Sequence, residues 1–210
     1  KGDETVSPDE IQKSIKTKVG EIYNVSQLRQ DILTITDLYG QKGFAYADAN
    51  PVSALNDDDR TVDLSVEVDK GKKVYVGNIE VLGNLKTKDN VIRREFRLKE
   101  GELFDGSKLK RSKQRINNLN YFEDVKIDTH RGQDPDLIDV LATVTERPTG
   151  SFSVGVGFSS IENFIFSTSV TQDNLFGNGQ RLSLNAHLSS IRTDFKINFT
   201  EPRLFDSEIS

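Results

Sequence analysis

The 210-residue sequence predicts an α+β chain in which two tandem β-α-α-β-β units, the first without its initial strand, precede about four antiparallel strands. Three observations predict it. An offset of 81 residues places Gly20 on Gly101, Tyr23 on Phe104, Leu28 on Leu109, Ile35 on Ile116 and Leu38 on Leu119. Helical and two-residue periodicities follow one another in the same order in both copies. Beyond "RPTG" (147–150) helical spacing disappears and apolar residues alternate with polar ones to residue 200.

In the first copy, Ile11 and Ile15 give helical spacing over 9–18, with Ser7 as N-cap. A turn at Gly20 leads to a second helix, 25–39, striped by Leu28, Ile32, Ile35 and Leu38 and capped by Ser26. Strands at 44–49 and 62–68 flank the turn-rich "LNDDDR".

The second copy repeats this order behind an added strand in "KVYVGNIEVLGN" (73–84). A helix over 88–98, with Val91, Ile92 and Phe96, takes Thr87 as N-cap. Gly101 turns the chain into a helix over 106–119, with Leu109, Ile116 and Leu119, capped by Ser107. Strands at 122–128 and 138–144 flank "RGQDPD". Three extra residues in the first copy bring Phe44 onto Phe122, and downstream "TVDLSVEV" (61–68) falls on "LIDVLATV" (137–144), with Val62, Leu64 and Val68 on Ile138, Val140 and Val144. With no room for a leading strand in copy one and no Met, the chain is expected to be an excised piece beginning inside that unit.

The tail divides into four alternating segments. Phe152, Val154, Val156 and Phe158 alternate with Ser153, Gly155 and Gly157; Phe164, Phe166 and Val170 oppose Ser167 and Ser169. Leu182, Leu184, Ala186 and Leu188 oppose Ser183, Asn185 and His187, and Phe195, Ile197 and Phe199 oppose Asp194, Lys196 and Asn198. A transmembrane β-barrel and an antiparallel sheet with one wet face both have this pattern.

Composition narrows the function. With 35% hydrophobic and 29% charged residues the chain is globular rather than disordered throughout. A net charge of −5 with no compact basic run argues against nucleic acid, which needs a cationic face to release counterions. The absence of Cys removes thiolate and disulfide chemistry, and His130 and His187 are far apart and default to exposed side chains. No apolar run reaches the roughly 20 residues of a membrane helix. "GVGFSS" and "GNGQ" lack the Lys of a phosphate loop, "NDDDR" reads as a solvated turn, and no nucleophile, base and orienting acid share local spacing. No catalytic, cofactor or metal site is expected.

Two features read as interaction sites. Arg93, Arg94, Arg97 and Glu100 run through the C-terminal half of a helix into the Gly101 turn; solvated arginines at a negative helix end are the plain alternative. Ser151, Phe152, Ser153, Val154, Gly155, Val156, Gly157, Phe158 and Ser159 form an edge strand whose glycines leave it flexible enough to pair with an incoming strand.

"NVIRREFRLKEGE", "LNYFEDV", "VTERPTGSFSVGVGFSS" and "DNLFGNGQ" closely resemble the last POTRA domain and first barrel strand of the BamA family, the outer-membrane protein assembly factors. The resemblance spans the chain and is strongest over about 72–180. It implies a penultimate POTRA domain at 1–71, a final one at 72–149, and the first four strands of a sixteen-stranded transmembrane barrel at 150–210. It further implies residence in the bacterial outer membrane with periplasmic POTRA domains, no cofactor, and unfolded outer-membrane proteins as clients, received at the Ser151 to Ser159 edge; the sheet edges near 44–49 and 123–129 are open to extended clients by the same strand addition. A BamD-like lipoprotein and other assembly subunits are the implied partners, with Arg93, Arg94, Arg97 and Glu100 at the docking site and outer-membrane lipid around the strands. Rival expectations are a dedicated polypeptide-secreting or autotransporter-assembly relative and a periplasmic scaffold. Four strands cannot close a barrel, so the isolated tail is expected to be disordered, to fold into a non-native sheet, or to self-associate through its edges.

Overall fold

The computed structural model describes residues 5–203. Helices α1 (Pro8–Ser14) and α2 (Val25–Gly40) precede the hairpin β1 (Asp48–Asn56) and β2 (Thr61–Asp69). There follow β3 (Tyr75–Leu82), α3 (Asp89–Arg93), α4 (Gly106–Asn118), β4 (Phe122–Arg131) and β5 (Leu137–Glu146), with sheet order β3-β5-β4. The tail is a meander of β6 (Gly150–Ser159), β7 (Asn163–Leu175), β8 (Gln180–Ser189) and β9 (Thr193–Thr200), an open sheet in that order. The α+β class, the β-α-α-β-β order and the antiparallel tail are as the sequence predicts. Among the described residues no helix is long and apolar enough to cross a membrane.

The chain forms two compact units. One holds the residues through Glu80, with Arg97–Ser112 and Asp128–Leu141. Its core is Val6, Ile35, Tyr39, Phe44, Ala47 and Ala49, flanked by Ile11, Ile15, Ile32, Leu38, Val66 and Val68. The predicted α2 stripe supplies three of these side chains, because i, i+3, i+4 spacing puts them on one face. Within this unit Leu103 fills the space where a Cβ on Gly43 would stand, and the Val74 amide donates to Gly43 O at 2.9 Å.

The other unit holds Val81–Phe96, Lys113–Ile127 and the chain from Ala142. Val81, Ile92, Ile116, Phe122, Val125, Ala142 and Val144 form its core, with Phe96, Leu119, Tyr121 and Ile127 against it. A carboxylate is buried nearby: Glu95 is 7% exposed, meets Arg115 at 2.7 Å and Arg203 at 3.5 Å, and lies 3.9 Å from Arg94.

Several local expectations are corrected. Ser7 does cap α1, but the helix ends at Ser14 rather than 18. Asp31, 3% exposed, accepts hydrogen bonds from the Lys16 and Thr17 amides, both at 2.8 Å, and pulls that backbone out of the helix. In copy two α3 stops at Arg93 rather than 98. There Ser112, 0% exposed, accepts the Arg97 amide at 2.8 Å. Both acceptor and donor obey the offset of 81, so the same device ends the first helix in each copy.

Helix α2 is capped by Asn24, not Ser26: the Asn24 side chain accepts the Ser26 and Gln27 amides. At the start of α4, Asp105 accepts the amides of Ser107 and Lys108 in the same way, so Ser107 is not the cap. Lys88 rather than Thr87 occupies the N-cap of α3, without a side-chain cap bond. The predicted strand 44–49 starts at Asp48 and runs to Asn56, because Phe44 is spent on the core from a turn. The predicted loops accordingly shrink: Leu55 and Asn56 belong to β1, and Arg131 to β4.

Candidate functional site

Register in the four-stranded sheet sorts the tail by polarity. Val156, Phe166 and Leu188 share one cross-strand row; Phe152, Val170, Leu184 and Ile197 share another; Leu182 and Phe199 a third. Ser151, Thr171, Ser183 and Asn198 form a row on the opposite face, as do Ser153, Ser169, Asn185 and Lys196. One face is thus apolar and exposed, whereas the other carries hydroxyls and amides that bond to one another, as Ser169 does to Asn185 at 2.7 Å. His187 lies on this polar face and contacts Glu162 at 3.2 Å.

Strand β6 terminates the sheet, pairing with β7 from Gly150 opposite Gln172 to Ser159 opposite Asn163. Each predicted edge residue from Ser151 to Ser159 lies in it. Phe158 packs edge-on against Phe164 with ring centroids 5.4 Å apart. A Cβ at Gly155 would lie 2.7 Å from the Ser167 hydroxyl, whereas Gly157 faces open space. The glycines therefore differ: one makes room for a neighbour, the other leaves the strand uncovered.

The β7–β8 turn reaches back to the loop ahead of α3. Asn174, buried at φ +55°, donates from Nδ2 to the Thr87 hydroxyl at 2.8 Å, and its Oδ1 accepts the Gly179 amide at 2.8 Å. The Lys88 amide donates to Gly177 O at 2.9 Å, and Tyr121 donates its hydroxyl to Gly179 O at 3.2 Å. A Cβ on Gly177 would stand 2.0 Å from Lys86 O, so only glycine admits this approach.

Glu146, the last residue of β5, closes the seam from the other side. Its carboxylate accepts the Thr87 amide at 2.6 Å and the Lys86 amide at 2.9 Å. Burial pushes the Glu146 carboxyl up, but the Thr87 hydroxyl, the two amides and the Lys86 charge together hold it below the usual range. Burial raises the Tyr121 hydroxyl, with Asp173 adding to it. Sequence reasoning missed this site. Its signal was Asn174 ahead of Gly177 and Gly179, a turn with more conformational demand than a simple hairpin has.

The predicted cationic run is divided between the two units. In one, Arg93 ends α3, paired with Asp89, and Arg94 lies beside Glu95, its guanidinium 2.6 Å from where a Gly179 Cβ would stand. In the other, Arg97 is anchored by its amide, and the exposed Glu100 accepts the Ile79 amide at 2.9 Å just before Gly101, φ +83°. The "NDDDR" carboxylates sit in the β1–β2 turn, where Asn56 bonds Asp59 and accepts the Asp58 amide.

The family model described as "Surface antigen variable number repeat", the POTRA module, matches residues 1–71 and 74–147. The chain is similar to the outer membrane protein assembly factor BamA of Neisseria meningitidis serogroup B, at 36% identity over 92% of the chain and 24% of that protein. It is 34% identical to BamA of Nitratidesulfovibrio vulgaris over 92% of the chain and 24% of that protein. The chain thus spans about a quarter of the length of these relatives. Among solved structures, BamA from Haemophilus ducreyi lacking POTRA domains 1–3 superposes with a TM-score of 0.78 at 30% identity, over 88% of this chain and 35% of that one.

Proposed function

The chain belongs to the POTRA family, and from that premise we propose that it is the part of an outer-membrane protein assembly factor in which the periplasmic modules pass into the membrane sheet. In this reading residues 1–71 are the penultimate POTRA domain, 72–149 the final one and 150–210 the start of the barrel. The chain resides in the outer membrane, with its POTRA domains in the periplasm, and its work is assembly rather than catalysis.

The observation that carries the reading is the exposed apolar face of β6 to β9, continuous across four strands and backed by a polar face. Water penalises such a face, and lipid on one side with a barrel interior on the other satisfies both. The uncovered edge of β6 is suited to an incoming client strand, whose backbone would pair by strand addition. Of the four residues Arg93, Arg94, Arg97 and Glu100 expected at a lipoprotein contact, Arg97 and Glu100 lie in one unit and are the proposed contact for a BamD-like lipoprotein, with Glu100 offering a carboxylate to a cationic partner from beside the Gly101 turn.

Depletion of the parent protein in its own cells, followed by heat-modifiable gel mobility of outer-membrane proteins, tests the role. Loss of many unrelated folded barrels is the expected result. Loss of one secreted client with the others intact would replace the assembly factor by a dedicated transporter.

A further inference from the structure

The seam between the β7–β8 turn and the loop ahead of α3 carries two side chains that its hydrogen bonds do not explain. Leu85 is 93% exposed and Phe176 is 82% exposed. Each directly precedes one of the two backbones that meet at the seam, since Lys86 O and Gly177 are in contact. The Phe176 backbone has φ +52°, a left-handed conformation that bulky side chains rarely adopt. An aromatic ring held in water on strained backbone incurs two costs at once, and such sites are where function is found.

Position along the sheet identifies what the pair meets. A bulge lies between Gln172 and Leu175, and Leu175 then pairs with Gln180, on the β8 face that carries Leu182, Leu184 and Leu188. The apolar face therefore runs to the base of the turn. Phe176 is twelve residues beyond Phe164 in the same hairpin. At about 3.4 Å per residue and a tilt of about 40°, twelve residues rise roughly 31 Å along the membrane normal, against an apolar band about 25 Å tall. With Phe164 at one boundary of that band, Phe176 falls just past the other, at the depth where barrels place aromatic girdles. Lys86 and Lys88, both exposed on the same loop, supply cations at the level of phosphate headgroups.

We propose that Leu85 and Phe176 form an interfacial anchor seated among phospholipid headgroups of the periplasmic leaflet, with Lys86 and Lys88 against the phosphates. The proposal rests on the membrane reading of the sheet. It makes the seam a membrane contact as well as a joint: one residue from the α/β module and one from the sheet enter the same lipid layer.

Site-directed spin labelling tests it. The chain contains no Cys, so Leu85→Cys, Phe176→Cys, Val156→Cys and Leu55→Cys each give one label within it, placed in the parent protein freed of other cysteines and reconstituted in anionic phospholipid nanodiscs. Collision with lipid-soluble oxygen is compared with collision with a water-soluble nickel chelate. Val156 reports whether the sheet is in lipid, and Leu55 on the β1–β2 hairpin reports an exposed apolar position in water. The expected result is an oxygen-to-nickel ratio at 85 and 176 severalfold above that at 55 and below that at 156. Ratios at 85 and 176 equal to that at 55, with 156 in lipid, overturn the anchor and leave the membrane reading intact. A water-like ratio at 156 overturns both. Because Leu85→Cys leaves the strained turn unchanged, its label carries the test even where Phe176→Cys perturbs folding.

Discussion

The Asn174 amide donates to the Thr87 hydroxyl at 2.8 Å across 87 positions of sequence, and both side chains are buried. A residue that looks like a helix cap is thus committed to a turn of the four-stranded sheet. Asn174→Ala removes this bond and the acceptor of the Gly179 amide, and puts Ala at positive φ. It should cost about 1–3 kcal/mol, the penalty of leaving buried partners unsatisfied. Urea unfolding and amide hydrogen exchange over 86–88 and 177–179 measure it, with exchange accelerating in those segments first. An unchanged pattern would show that the bond is dispensable.

Two glycines should respond very differently to the same change. Gly177→Ala combines a left-handed backbone, φ +74°, with the Lys86 carbonyl in the path of the new methyl group. It should destabilise by about 2–5 kcal/mol, summing strain and overpacking. Gly157→Ala meets open space and should fall within about 0.5 kcal/mol of the parent, as surface changes do. Parallel denaturant titrations of the two variants settle the contrast.

The Glu146 carboxyl titrates below its ordinary value because burial is outweighed by the Thr87 hydroxyl and the Thr87 and Lys86 amides. Folding therefore favours the ionised form. The stability this contributes is present in full above the ordinary glutamate range and is lost as pH falls through the depressed folded value. Glu146→Gln should flatten the acid limb of a stability-versus-pH curve while lowering stability near neutrality. An identical acid limb in the variant would mean that other carboxylates, Asp31 among them, control it.

Glu95 has more cationic partners than its burial alone would need. Removing it leaves Arg115, Arg94 and Arg203 crowded without their counter-charge. Glu95→Ala should cost about 3–5 kcal/mol, as breaking one side of a buried ionic cluster does. Glu95→Gln keeps an acceptor for Arg115 and should cost less; a loss as great as that of Ala would assign the effect to charge rather than to the bond. Thermal unfolding of both variants supplies the comparison.

Glu100 has a structural duty beside its proposed docking role. Glu100→Gln preserves an oxygen for the Ile79 amide and removes only the charge, whereas Glu100→Lys removes both and reverses the sign. Both should weaken capture of a BamD-like partner, the lysine variant more. Only the lysine variant should also lower unfolding stability. Full partner retention by both in a pull-down would remove Glu100 from the docking surface.

Much of this architecture was legible because the repeat constrains it twice. Gly20 and Gly101 both adopt left-handed backbone, at φ +86° and +83°, and Ile35 and Ile116 are both buried. The offset also carried information that propensity obscured: Asn24 and Asp105 cap their helices together, and Asp31 and Ser112 end the preceding ones together. Ser26 and Ser107 were attractive caps by residue type, yet their amides are what the true caps receive. Alternation located the tail strands because one face is mostly apolar, while the glycine-rich turn between β7 and β8 gave no periodic signal. Contacts such as Asn174 with Thr87, or Glu146 with Lys86, pair residues far apart in sequence without repeating, so local patterns cannot register them.

The distance in sequence between Thr87 and Asn174 also orders events in time. A chain synthesised N-terminus first exposes the loop ahead of α3 before the β7–β8 turn arrives to close on it. Local helices and the β4–β5 hairpin can form meanwhile, but this closure spans a long loop and waits for the distant segment. The second repeat is therefore finished by the sheet that follows it, and the joint closes only once the strands behind it have been made.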